Sequence, residues 1–380
     1  MCSSDLGFWT SIPKRHVLSV AVLLGVAYAF YRSRDATATD ALLSATGFRA
    51  LAYALVGLLT WVHAGDAFKY HGMRDEELRM PYHDSISVCT APSHTRTTAA
   101  FEPDRDDDRY VIDGEPVEGR GAERIEQVVD HVRDLARIDH RVRLVSENSF
   151  PTNIGFGSSA SGFAAAAVAL AEAAGLDRSH PELSAIARRG SASAARAVTG
   201  AYSHLRAGLN DADCRSERIA VPDSLESDLR IVAGMIPSYK ETEQAHAEAA
   251  DSHMFESRMA HIHGQIAEMR DALQTGAFGR VFETAEHDSL SLAAATMTGP
   301  AGWVYWQPRT IEIFNAVRDL RSEGEIPVYF SVDTGASVYV NTTAEHADRV
   351  ETVVADCGVD TRVWDVGGPA RVLDGSEALF

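Results

Sequence analysis

From residue 69 onward the chain alternates short stretches of apolar–polar alternation with longer stretches of helical periodicity. A period of two runs through "DSISVCTA" (84–91), "DRYVIDGEPV" (108–117) and "HRVRLVSENSF" (140–150), each bounded by turn residues, and predicts β-strands. Between them, "GAERIEQVVDHVRDLARI" (121–138) sets Ile125, Val128, Val129, Val132, Leu135 and Ile138 on one stripe, the spacing of a helix that buries one face. That stripe belongs to a core, not to a cofactor. Further helices are predicted in the alanine-rich segment after residue 158 and over "HPELSAIARRGSASAARAV" (180–198). Past about residue 220 the pattern restarts with strand-like "DLRIVAGMI" (228–236), two long helical stretches, "VYFSVDTGASVYVN" (328–341), helical "TAEHADRVETVVADCG" and a final strand "TRVWDVG". Two α+β domains, 66–220 and 221–380, fit this order.

The first 65 residues do not share the pattern. "HVLSVAVLLGVAYAF" (16–30) follows Lys14 and Arg15, and "ALAYALVGLLTWVHA" (50–64) follows Arg49. Each falls short of the ~20 apolar residues that span a bilayer. The first has the length and basic flank of a signal-peptide core but no A-x-A site after it. A membrane hairpin and a fused upstream sequence are the other readings, and the last is preferred because everything after Lys69 reads as soluble. Residues 1–65 are therefore expected to be a separate apolar extension, and residues 1–63 dispensable.

Charge narrows the function classes. At a formal net charge of -19 the surface should repel polyanions, which argues against nucleic-acid binding. Lys14, Lys69 and Lys240 are the only lysines, and an acidic, lysine-poor composition suits a salt-saturated cytoplasm. Cys2, Cys89, Cys214 and Cys357 are far apart with no C-x-x-C pair, and "HIHG" at His261 to His263 lacks the H-E-x-x-H pattern, so no metal site is read from them.

The most informative stretch is "FPTNIGFGSSASGFAA" (150–165). Gly155 and Gly157 permit close backbone approach, and Ser158, Ser159 and Ser161 place hydroxyls where a helix begins. Free amides and the positive end of the helix dipole favour an anion there, and phosphate is the natural guest. A simple helix cap explains one serine but not three with two glycines. A P-loop would need G-K-[ST], which is absent. Gly155, Gly157 and Ala160 do satisfy G-x-G-x-x-A, but the segment that should be the second parallel strand of a dinucleotide fold is helical.

Five ordered blocks then resemble one family. "KYHGMRDEELRMPYHDSISV" (69–88), "SENSFPTNIGFGSSASGFAA", "ELSAIARRGSASAARAVTGAY", "EHDSLSLAAATM" (286–297) and "SVDTGASVYV" (331–340) are similar to the mevalonate diphosphate decarboxylases of the GHMP kinase superfamily, including archaeal relatives that act on the monophosphate. The resemblance covers about residues 66–370. It implies an α+β, two-domain GHMP kinase fold, with a ribosomal protein S5 domain 2-like N-terminal domain and a ferredoxin-like C-terminal domain. It also implies ATP and Mg²⁺ as reagents, a cytoplasmic enzyme of isoprenoid synthesis, and an assembly that leaves a homodimer open.

The resemblance assigns roles. Asp333 matches the family's base or orienter for the 3-hydroxyl, Arg196 the arginine that grips the carboxylate, and Lys69 the cation that helps organise Asp333 and the developing charge. Tyr70, Met73, Arg74, Ser191 and Ser193 fall in substrate-positioning blocks, and Gly155, Gly157, Ser158, Ser159 and Ser161 in the one that holds the ATP phosphates. Departures exist: D-A-G-P-N reads Asp333-Thr334-Gly335-Ala336-Ser337, and only "LTWVHAGDAF" is available for the family's first strand. The family's K-Y-W-G-K-R-D reads Lys69-Tyr70-His71-Gly72-Met73-Arg74-Asp75, so the cation expected near a distal phosphate is the uncharged Met73. Mevalonate 5-phosphate is therefore the expected substrate and isopentenyl phosphate the product. Mevalonate 5-diphosphate, or a 3-kinase that stops at phosphoryl transfer, is the alternative, and Arg74 the residue that could replace the lost lysine.

Overall fold

The computed structural model describes residues 71–150, 159–237 and 246–380 in full, and 57–68 and 158 by their backbone course. The apolar run 16–30 and the first part of the run 50–64 lie outside the described residues.

Residues 53–380 form one compact unit. Its first described element is strand β1 (Gly57–Phe68), which takes in "LTWVHAGDAF" and begins upstream of the division expected at residue 65. β1 pairs antiparallel with β4 (Ser85–Glu102), from Gly57 opposite Thr98 to Phe68 opposite Ile86. Between them in sequence is a small hairpin of β2 (Met73–Asp75) and β3 (Met80–Pro81). The strand expected at 84–91 is thus far longer, because β4 has partners along its whole length: β8 (Tyr202–Leu205) early, β7 (Arg141–Asn148) late and β1 between Ile86 and Thr98.

The segment 108–117 divides into β5 (Arg109–Ile112) and β6 (Glu115–Pro116). Asp113 and Gly114 turn between them with φ of 52° and 86°, the left-handed pair that Asp-Gly supplies in a two-residue hairpin. Helix α1 (Gly119–Ala136) buries Ile125, Val128, Val129 and Val132 of the expected stripe, while Leu135, one residue before its end, is 38% exposed.

Helix α2 (Ser158–Ala173) follows and is buried nearly all round from Ala160 to Ala171. Its alanines let it sit close between β1 and β4 on one side and α3 (His180–Gly190) and α4 (Ala192–Thr199) on the other. The single helix expected over 180–198 is broken at Ser191, whose φ and ψ of -160° and 129° are extended. The cause is tertiary. Gly190 lies directly against the Phe163 ring, where a Cβ could not fit, and its carbonyl accepts from Nε of Arg124 at 3.1 Å.

After β8, β9 (Ser216–Arg218) and the short α5 (Asp223–Asp228), the second half begins with β10 (Leu229–Met235). Helices α6 (Phe255–Thr275), α7 (Phe278–Met297) and α8 (Pro308–Gly324) precede β11 (Val328–Val332) and β12 (Val338–Thr343), and α9 (Ala347–Asp356) precedes β13 (Asp360–Val366) and β14 (Arg371–Val372). The sheet runs β11-β12-β10-β13-β4-β7-β5-β6, with β1, β14, β8 and β9 off this path. β10 is central and buried on both faces: Ile231 and Ala233 meet Ile262, Met269 and Phe282, while Val232 meets Ile313, Val317 and Val350. This explains why its sequence is a continuous apolar run without alternation. A separate core lies on β4 and β7 under α1 to α3, with Phe101, Leu144, Val129 and Leu170. Among the described residues no helix is long and apolar enough to cross a membrane.

Candidate active site

The arginine in "SAARAV" is the most constrained of the expected site residues. Arg196 lies in α4 and is fully buried, an expensive position for a guanidinium unless its N–H groups are satisfied. Its Nε donates to Oγ of Ser87 at 2.9 Å and its NH1 to Oγ of Ser85. These serines alternate on β4, so the period-two geometry of a strand presents both hydroxyls on one face. Neither was singled out in the sequence; the signal was "DSIS", two small polar residues two apart in an otherwise apolar strand.

The break at Ser191 brings three expected residues together. Ser191 ends α3 and precedes α4, is 7% exposed, and its hydroxyl lies 3.0 Å from that of the half-buried Ser193. One turn further is Arg196. Met73, on β2, packs against the apolar cluster that contains Ala192 and Ala195 of the same helix. Arg74 points elsewhere: its NH2 donates to the carbonyls of Ala207 at 2.8 Å and Gly208 at 2.6 Å.

In the phosphate-loop block, Gly155 and Gly157 lie outside the described residues, as do Lys69 and Tyr70. Ser158 opens α2, Ser159 is exposed in its first turn, and no acidic residue stands in that turn. Ser161 is fully buried and donates to Oγ1 of Thr95 at 2.7 Å, which donates on to Asn148 at 2.7 Å. Its hydroxyl thus ties the start of α2 to β4 and β7.

Asp333 follows β11 on the loop to β12 and is half-buried, lining a cavity with Thr296, Trp303, Tyr305 and Thr334. The loop is pinned on both sides. The Val332 amide donates to Oγ of Ser289 at 3.1 Å, Thr310 donates to the Ala336 carbonyl at 2.7 Å, and the Ile236 amide donates to Oγ of Ser337 at 3.1 Å. Strands β1 and β11, which precede Lys69 and Asp333, are in contact.

The block "EHDSLSL" acts as scaffold for this loop. Glu286 accepts from Arg321 at 3.0 and 3.1 Å and from the Phe330 amide at 3.2 Å, which joins α7 to α8 and β11. Asp288 pairs with Arg258 at 2.8 Å, both buried. Ser289 holds the residue before Asp333, as above.

Near the substrate segment, His83 is buried and its Nδ1 donates to the Asp84 carbonyl at 2.7 Å. Burial, then the Arg258 charge, push its imidazole down to about 3, so it stays neutral at working pH. Asp84 next to it accepts from Nε2 of His204 at 2.8 Å and from the Ala207 amide at 2.8 Å. Burial opposes ionisation of Asp84, but these hydrogen bonds outweigh it and hold the carboxyl below its ordinary range. Among the described residues no group of three or more His, Cys, Asp or Glu could hold a metal ion.

The profile of the diphosphomevalonate decarboxylase-like N-terminal domain matches residues 64–216. A phosphomevalonate decarboxylase of Haloferax volcanii is 77% identical over 312 residues, which is 82% of this chain and 96% of the relative. The crystal structure of mevalonate diphosphate decarboxylase from Staphylococcus aureus matches with a TM-score of 0.80 at 26% identity, over 84% of this chain and 98% of the other. Another neighbour, at 25% identity and a TM-score of 0.78 over 84% of this chain and 99% of its own, is a complex with MVAPP, AMPPCP and magnesium.

Proposed function

The chain belongs to the diphosphomevalonate decarboxylase-like family, and we propose that its reaction is the ATP-dependent decarboxylation of mevalonate 5-phosphate to isopentenyl phosphate, with ADP, phosphate and CO₂ released. The observation that carries this reading is the 77% identity with a phosphomevalonate decarboxylase over 82% of the chain. The protein is a decarboxylating lyase on the α+β, two-domain GHMP kinase fold, and its acidic, lysine-poor composition fits a halophilic source like that of the relative. We place the division between domains near residue 220, in the stretch from β9 into α5, and the enzyme in the cytoplasm.

The chemistry explains why ATP is needed. A tertiary hydroxide is a poor leaving group and phosphate is a good one. Transfer of the γ-phosphoryl group forms an O–P bond at the 3-hydroxyl. The C–O bond then breaks with its electron pair on phosphate, while the pair from the bond to the carboxylate forms the alkene and frees CO₂. Asp333 receives or orients the hydroxyl proton from a loop pinned on both sides. Arg196 meets the substrate carboxylate in an orientation set by Ser85 and Ser87, where a planar fork can bind both oxygens. Ser191 and Ser193 position the substrate beside it, with Lys69 and Tyr70 from the segment after β1.

ATP and Mg²⁺ enter as substrates. The first amides of α2, the hydroxyl of Ser159 and the lack of an acidic residue in that turn make a donor set that suits phosphate. Gly155, Gly157 and Ser158 belong to the same cradle, with Ser161 anchoring it beneath. The absence of a carboxylate cage among the described residues suits Mg²⁺, which binds chiefly to phosphates and water.

Substrate choice rests on Met73 and Arg74. Met73 is committed to apolar packing and offers no cation to a distal phosphate, while Arg74 is turned toward the Ala207 and Gly208 carbonyls. The test is to supply ATP and Mg²⁺ with mevalonate 5-phosphate or 5-diphosphate and compare kcat/KM for CO₂ release. A clear preference for the diphosphate overturns the substrate, and ADP formation without CO₂ would make the protein a 3-kinase.

A further inference from the structure

Two hydrogen-bond donors on the wall of the Asp333 cavity are unusual. Thr334 is 2% exposed, and its Oγ1 is buried with no partner among the described residues. The indole Nε1 of Trp303 is buried in the same condition. Both residues line the cavity that Asp333 lines, whose other walls include Leu292, Met297 and Tyr305. The loop is held at the Val332 amide by Ser289, at the Ala336 carbonyl by Thr310 and at the Ser337 hydroxyl by the Ile236 amide, so the Thr334 hydroxyl is not required to hold it.

Packing alone does not call for either donor. Valine has the shape of threonine and would fill the site without burying a hydroxyl, and phenylalanine would keep most of the Trp303 ring contact. Buried polar groups are nearly always hydrogen-bonded, and exceptions cluster where a ligand completes them. An indole N–H can only donate, which makes the missing partner an acceptor oxygen.

Resting on the reaction proposed above, we infer that Thr334 and Trp303 form a two-donor subsite for a non-bridging oxygen of the phosphoryl group as it passes to the 3-hydroxyl. In that step the new O–P bond forms as the bond to ADP breaks and the hydroxyl proton passes to Asp333. The two donors keep their protons and stabilise charge on the oxygen between them.

The experiment measures ADP and CO₂ release from mevalonate 5-phosphate, together with melting temperature, for Thr334→Val, Thr334→Ser and Trp303→Phe. Thr334→Val should lower kcat for both products by about 10- to 100-fold, the size of a hydrogen bond to a charged group. KM should hardly change, because the contact exists only during transfer. Its melting temperature should equal or exceed that of the unaltered protein, Thr334→Ser should keep near-normal kcat, and Trp303→Phe should lower kcat as well. Normal kcat in Thr334→Val, or equal losses in Thr334→Val and Thr334→Ser, would overturn the subsite. If the unaltered enzyme turns over only the diphosphate, the proposed substrate fails. The same variants then test the subsite with the diphosphate, since both substrates share the 3-hydroxyl.

Discussion

Arg188 and Arg196 are both fully buried and lie on either side of the break at Ser191, yet their surroundings differ in kind. Arg188, near the end of α3, donates through Nε to the Cys214 carbonyl at 3.0 Å, through NH1 to the Leu78 carbonyl and through NH2 to the Asp211 carboxylate, which also binds Arg189 at 2.7 Å. Arg196 is held at Nε and NH1 by the hydroxyls of Ser87 and Ser85. Asp211 pairs its carboxylate with the Arg188 guanidinium, whereas the Ser85 and Ser87 hydroxyls fix the plane of the Arg196 guanidinium. The first region is a structural tie. At the second, the proposed role of the guanidinium is to meet the substrate carboxylate.

The largest expected effect separates the two regions by stability. Asp211→Ala removes the partly exposed carboxylate facing a buried arginine and should cost about 1.5–3 kcal/mol in denaturant unfolding. Arg196→Met removes the buried charge itself, so it should unfold later than Asp211→Ala while losing CO₂ release. Equal destabilisation by both would break the comparison.

Asp333→Asn comes next. It should lower kcat by ~10²-fold or more, the usual share of a positioned base, while nucleotide binding by calorimetry stays close to normal. Near-normal CO₂ release would remove Asp333 from the chemistry and leave Arg196 as the only anchored group of the site.

Met73→Lys tests whether the Arg196 region also sets substrate choice. A lysine there should raise kcat/KM for the diphosphate relative to the monophosphate by about 10- to 100-fold, the worth of a hydrogen bond to a charged group. No change in the ratio would show that the distal phosphate lies elsewhere.

The smallest effect is the sharpest. Ser85→Ala and Ser87→Ala should each cost ~1 kcal/mol of the grip on Arg196, read as roughly a fivefold rise in KM for mevalonate 5-phosphate with the KM for ATP unchanged. If ATP is affected equally, the serines support the fold at large and not the arginine.

Much of the fold was legible before any coordinates. The stripe of α1, the Asp-Gly hairpin and the restart near residue 220 follow from local spacing and turn chemistry, and five ordered blocks pointed to the family. The errors have local causes. Local spacing predicts an unbroken helix over 180–198 because nothing in "ARRGSASAARA" shows that Phe163 presses on Gly190. The strand at 84–91 was read short because the threonines and histidine of "SHTRTTAAFE" have no clear alternation, although β1 and β7 flank them.

Most segments that are helices or strands, and the candidate residues for the chemistry, can be read along the chain, because periodicity, turn residues and motif order act over a few positions. Only the tertiary structure decided what surrounds each of those residues. Arg196 and its serines are 109 and 111 positions apart, and Arg74 reaches carbonyls 133 and 134 positions away. Such partners depend on the register of β4 beneath α4 and on the path of the loop after β8, and burial then makes each satisfied or unsatisfied donor count. The one-dimensional pattern does not encode those distances, so the orienting serines, the occupied Arg74 and the open donors of Thr334 and Trp303 became visible only once the chain was folded.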